Sequence, residues 1–172
     1  PTGSPCAQAV REQAAGHANV HLHCDLPTLA PLMAQADVAI GAAGATSWER
    51  LCLGLPALVI TAADHQRPLA DEQQRRGLIR WLGHHDQVTE STVKQALEEL
   101  IEQGLDVKWS NRCHATVDGR GVQRVCEALS GGADTAEVSP RPIGSRSPQA
   151  RKRLLFTGGG GASSEALHRL LC

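Results

Sequence analysis

The residues of this 172-residue chain best suited to chemistry lie in Gly41-Ala42-Ala43-Gly44-Ala45-Thr46-Ser47, with Glu49 just beyond. Small side chains allow close approach to the backbone. The N–H groups that open a helix are unpaired and carry partial positive charge, so such a turn suits a pyrophosphate. Thr46 and Ser47 would add hydroxyl donors. Glu49, a short way into the helix, can accept from both hydroxyls of a ribose placed by that pyrophosphate. The same stretch is equally the tight connection that any βα unit needs, and Glu49 is equally a helix-dipole or capping carboxylate. The pattern is neither GxGxxG nor a P-loop, because no Lys follows.

A second polar turn, Asp64-His65-Gln66, follows the next apolar run. Arg67, Arg75, Arg76 and Arg80 bring positive charge near it, either to help hold phosphate or as the solvated face of a helix. Other nominal ligands are His21, His23 and Cys24, the pair His84-His85, and Cys113-His114. Zinc needs four convergent ligands, and no pair here has finger-like spacing, so no metal site is expected. His84 and His85 read as an exposed turn, and Trp48 as a packing residue.

These turns need elements to hold them. Val38 to Ile40 is a continuous apolar run, the mark of a strand covered on both faces, and Ala57 to Ile60 is another. A helix is expected from about Ser47 to Leu53, stopped by Gly54 and Pro56, and a further helix from the second turn to about Arg76, stopped by Gly77. Upstream, the spacing predicts a helix from Cys6 to Ala15, a strand over Val20 to Cys24, and a helix from about Pro27 to Gln35 capped by Asp25. Downstream come a strand over Leu78 to Leu82, an amphipathic helix from Thr89 to Gln103 capped by Thr89 or Ser91, and a helix from about Arg120 to Leu129. Short buried strands alternating with helices predict an α/β fold, a Rossmann-like parallel sheet with helices on both faces. Ligands of such sheets bind beyond the carboxyl ends of the strands, where both turns lie.

Composition sets the outer bounds. A hydrophobic share of 41% and a charged share of 20% are those of a globular protein, and the formal net charge of -1 offers no general field for nucleic acid or an anionic membrane. With no Tyr, one Phe and three Trp, stacking platforms for single strands are lacking. No nucleic-acid partner and no membrane partner is expected. The six cysteines show no CxxC pair, and no cationic leader with an apolar stretch opens the chain, so reduced thiols and a cytoplasmic location are expected. Residues 1–129 read as one domain, expected to lack its first strand because Thr2-Gly3-Ser4 resembles a turn that follows one. Residues 130–150, rich in Gly, Pro, Ser and Arg, read as a linker. Residues 151–172 read as the truncated first βα unit of another domain: Leu154 to Phe156 as a strand, Gly158 to Gly161 as a turn, and Ser163 to Leu171 as a helix.

The block ADVAIGAAGATSWERLCLGLPALVITAADHQRPLADEQQRRGLI, residues 36–79, resembles the carboxyl-terminal domain of the UDP-2,4-diacetamido-2,4,6-trideoxy-β-L-altropyranose hydrolase family of pseudaminic acid biosynthesis. It is similar, more distantly, to the N-acetylglucosaminyltransferases that make lipid II. The resemblance covers about Thr2 to Leu129, with GAAGATSWERLCLGLP its most specific part. It implies the carboxyl-terminal half of a GT-B fold, with UDP or a UDP-sugar as ligand and no cofactor. Gly44, Ala45, Thr46 and Ser47 would form the pyrophosphate loop, and Glu49 would hold the ribose. Gln66 matches the glutamine of an Asn-Gln pair facing the sugar, and His65 stands where the family usually has Asn, exchanging an amide for a group that titrates near neutral pH. The family's proposed general base is a histidine in a glycine-rich loop of the amino-terminal domain, which is expected to lie outside this sequence. The resemblance therefore implies that this chain binds and that its amino-terminal partner domain completes the chemistry. A GT-B glycosyltransferase and a non-catalytic nucleotide-sugar-binding domain are the alternatives.

Overall fold

The computed structural model describes residues 7–130 and 153–157. In chain order the elements are α1 (Ala7–Ala15), α2 (Ala30–Gln35), β1 (Val38–Gly41), α3 (Ala45–Cys52), β2 (Ala57–Thr61), a 3-10 turn (Asp64–Gln66), α4 (Arg67–Arg75), β3 (Arg80–His84), α5 (Glu90–Gln103), α6 (Val107–Thr116), α7 (Gly121–Ser130) and β4 (Leu154–Thr157). The four strands form one sheet in the order β3-β2-β1-β4, and every pairing is parallel. The fold is α/β and Rossmann-like.

Every residue of β1 and β2 is buried, as their unbroken apolar runs require. Successive side chains point to opposite faces, which divides the core in two. On one face Ala39, Ala57 and Val59 pack with Met33 of α2 and Ala70 of α4. On the other, Ile40, Leu58 and Ile60 pack with Val93 and Ala96 of α5. A smaller cluster, Leu51, Leu78 and Cys113, ties α3 to α6.

The helix ends follow from local chemistry. Gly54 has φ 61°, and the Leu55 N–H bonds Arg50 O at 2.8 Å while the Gly54 N–H bonds Leu51 O at 3.0 Å, the paired closure that a left-handed glycine permits. Gly77 closes α4 in the same way. Thr89 caps α5, accepting from the Thr92 N–H at 3.3 Å.

Three expectations change, and one helix is new. Val20 to Cys24 forms no strand. Val20 and Leu22 are 47% and 45% exposed, and a strand exists only by pairing, which neither edge of the sheet gives this segment. Asp25 does not cap α2. It sits at φ 51°, and Thr28 Oγ1 accepts from the Ala30 N–H at 3.2 Å. The third strand runs Arg80–His84, two residues later than its apolar start, because Leu78 and Ile79 are buried in the turn that leads into it. Finally, α6 is a helix whose sequence, VKWSNRCHAT, carries too few apolar residues to show a period.

Leu154–Thr157 lies in this same sheet beside β1, with Ile40 opposite Phe156 and Gly41 opposite Thr157. The Thr2-Gly3-Ser4 turn, the linker from 131 to 150, and the turn and helix read over residues 158–171 lie outside the described residues. Among the described residues no helix is long and apolar enough to cross a membrane.

Candidate functional site

The winding runs from β1 out to β3 and then returns to place β4 on the other side of β1. Its direction therefore reverses between β1 and β4, and at such a switch point the loops leave in opposite directions and open a crevice at the carboxyl ends of the strands. The turn from Ala42 to Gly44 stands there, between Gly41 and the start of α3.

Gly44 is the N-cap of α3, at φ -165° and ψ -158°. Glycine brings no side chain to the first-turn amides. The Gly44 N–H bonds Ser47 Oγ at 3.3 Å and the Ser47 N–H bonds Gly44 O at 2.9 Å, whereas the N–H groups of Ala45 and Thr46 have no protein partner among the described residues. A Cβ built on Gly44 would meet nothing within 4 Å, so open space lies over the turn.

The sequence-expected residues divide. Ala45 is exposed, Thr46 is half-buried, and Glu49 and Trp48 are exposed, Trp48 by 46%. Trp48 therefore does not pack into the core. Ser47 is buried, and its hydroxyl oxygen accepts from the Gly44 N–H and from Arg50 Nη2 at 2.9 Å. Its role in the structure is to brace the turn. The second turn follows β2, the neighbour of β1, at the same end of the sheet. His65 there is exposed, and Gln66 folds back so that its Oε1 accepts from the Ala62 N–H at 2.9 Å.

The arginines near the second turn are occupied. Arg67 lies 3.0 Å from Asp64, Arg75 pairs with Asp71 and Glu72, Arg76 lies 2.6 Å from Glu72, and Arg80 lies 2.5 Å from Glu99. Mutual neutralisation makes them poor donors to a ligand. His84 is buried at the end of β3 rather than in an exposed turn, and its Nδ1 shares a hydrogen bond with Thr61 Oγ1 at 3.0 Å. Among the described residues no group of three or more His, Cys, Asp or Glu side chains is placed to hold a metal ion.

Arg50 carries no expectation from the sequence, yet it lies at the centre of this turn. It is 1% exposed. Nη2 donates to Ala42 O and to Ser47 Oγ, both at 2.9 Å, and Nη1 donates to Thr157 Oγ1 at 3.4 Å. Its Nε is buried without a partner. Burial lowers its pKa to about 10, with the Glu49 carboxylate acting in the opposite sense. The available signal was its spacing, one helical turn after Ser47, but position alone does not reveal burial.

Compared with curated proteins, the chain is 29% identical over 129 residues to the spore coat polysaccharide biosynthesis protein SpsG of Bacillus subtilis (strain 168). The match covers 74% of this chain and 38% of that protein, so the chain spans well under half the length of its relative. No family model matches the chain. No solved structure matches it either.

Proposed function

We propose that the chain is the nucleotide-binding domain of a protein acting on UDP-sugars in polysaccharide or related sugar biosynthesis, in the role of a carboxyl-terminal GT-B half. The observation that carries this is the unfilled helix start: two free N–H groups at Ala45 and Thr46, open space over Gly44, and a position at the switch point of the sheet. The diphosphate accepts from those amides and from Thr46, while Glu49, free in solvent, accepts from the ribose. Similarity to a protein named for polysaccharide biosynthesis supports a sugar-nucleotide ligand.

The specific reaction that fits best is hydrolysis of a UDP-linked diacetamido-trideoxyhexose, as in pseudaminic acid biosynthesis. Water attacks the anomeric carbon, the bond to the diphosphate oxygen breaks, and UDP leaves with the electron pair. The turn stabilises the charge gathering on the departing diphosphate, and Glu49 fixes the nucleoside so that the anomeric carbon is presented correctly. His65 and Gln66, at the neighbouring strand end, face the sugar side, and the general base comes from a partner domain. UDP release from the UDP-sugar by the whole protein, with and without an acceptor, tests this reading. Release that needs no acceptor and falls at least about tenfold in Glu49→Ala, the loss expected for a hydrogen bond to a charged group, is the expected result. Release that requires an acceptor assigns the domain to a transferase, and no release from either arm rejects catalysis.

A further inference from the structure

A guanidinium taken out of water is costly unless a counter-charge meets it, and folds that need only packing place an aliphatic side chain there. Arg50 is almost wholly buried, yet its partners are all neutral: a carbonyl oxygen, the Ser47 hydroxyl and the Thr157 hydroxyl. One of its N–H groups has no partner at all. No carboxylate lies within ion-pair distance of it among the described residues, although Arg67, Arg75, Arg76 and Arg80 all have one.

The direction of the side chain explains where this charge is delivered. Side chains on a helix lean toward its N-terminus, so Arg50 reaches back one turn to Ser47 and on to Ala42. The guanidinium ends beneath the turn whose Ala45 and Thr46 amides are unfilled. A helix N-terminus, two free donors and a buried cation without an ion-pair partner among the described residues therefore coincide, with the exposed Glu49 carboxylate acting on that cation only through space. Their combined charge matches a multiply charged anion.

We infer that Arg50 is a positioning residue of the diphosphate site, holding the 42–47 turn open from below and supplying the fixed positive charge that the bound diphosphate balances. The inference rests on the reading of that turn as a diphosphate site. Arg50 acts through the turn and its field, not by touching the nucleotide. Thr157, brought by β4 from far along the chain, completes the seat by accepting from Nη1. In the free protein the charge is a cost to folding, reflected in the lowered pKa of the buried group. The site therefore trades stability for binding.

The test is thermal unfolding of the full 172-residue chain, alone and over a range of UDP and inorganic pyrophosphate concentrations, for wild type, Arg50→Met and Arg50→Lys. Both ligands are expected to raise the wild-type midpoint. Arg50→Met is expected to unfold at the wild-type midpoint or above without ligand, and to bind both ligands roughly tenfold or more weakly. Arg50→Lys, which keeps the charge and loses the fork, is expected to fall between. A wild-type response matched by Arg50→Met overturns the role of Arg50 and leaves the site standing, whereas no response of the wild type to either ligand overturns both. An unliganded midpoint that falls along with the UDP response marks a structural arginine and also overturns the inference. If Arg50→Met does not fold, a folded Arg50→Lys that still responds to UDP supports it, and one that has lost the response overturns it.

Discussion

A Cβ built on Gly41 would lie 2.2 Å from Thr157 Oγ1 and 2.8 Å from Arg50 Nη1, whereas one built on Gly44 would meet nothing. The first glycine is demanded by packing between β1, β4 and the buried arginine. The second is not, since φ -165° is ordinary extended backbone, and what it leaves clear is the approach to the amides of the turn. The two substitutions should therefore separate fold from site. Gly41→Ala is expected to cost about 1–3 kcal/mol of stability in a denaturant melt, the usual penalty for forcing a carbon into a packed core. Gly44→Ala should cost no more than about 1 kcal/mol, the difference between glycine and alanine at an N-cap, and yet weaken UDP binding, measured by titration calorimetry. Glu49→Ala belongs with the second kind: its side chain is exposed, so the unfolding midpoint should hold while UDP affinity falls.

Among the elements, α6 fastens the architecture behind the site. Trp109 Nε1 donates to Leu78 O at 2.8 Å, Ser110 Oγ donates to Gly54 O at 2.5 Å, and the buried Cys113 thiol donates to Leu78 O at 3.2 Å. Through these bonds α6 clamps the end of α3 and the approach to β3. Burial pushes the Cys113 pKa from 9.0 up to about 11, so the folded state holds that proton more tightly than the unfolded one. Its contribution to stability is complete below pH 9.0 and is lost as the pH rises toward about 11. Melts across that range should show a falling midpoint, and Cys113→Ala should flatten the fall while lowering the midpoint below pH 9.0. Arg50, with a lowered pKa, acts in the opposite sense, so the comparison is between variant and wild type at each pH. Much of this layer was legible in advance. The apolar runs of β1 and β2, the glycine stops of α3 and α4 and the Thr89 cap are local signals, and they led to the right elements. What failed was non-local: Val20 to Cys24 alternates like a strand but finds no neighbour, and α6 is held by bonds to distant carbonyls and by the small cluster around Cys113 and Trp109 rather than by a periodic apolar stripe. At the site, small residues and hydroxyls marked the turn, but Arg50, Thr157 and His84 become informative only once the fold shows which of them are buried.

For the whole molecule, the chain closes its sheet with a strand far from the others in sequence. The Asp37 N–H donates to Arg153 O at 2.8 Å, Asp37 Oδ2 accepts from the Arg153 N–H at 2.7 Å, and β4 then runs beside β1 to bury Thr157 against Gly41 and Arg50. Without β4, the buried β1 becomes an unpaired apolar edge, the kind that pairs with other chains. A chain ending at Ser130 should melt at a lower temperature and self-associate in analytical ultracentrifugation; an unchanged midpoint with a monomer would show that β4 is dispensable. The same topology places the crevice between β1 and β4, and with it the claim on which the functional reading depends. That claim is tested most directly by following the backbone amide resonances of the isotopically labelled chain as UDP is added. The account predicts saturable shifts that are largest at Gly44, Ala45, Thr46 and Ser47 and much reduced in Gly44→Ala. Amides of this turn that stay unmoved at UDP concentrations that shift residues elsewhere, or that cause no shift at all, would contradict it.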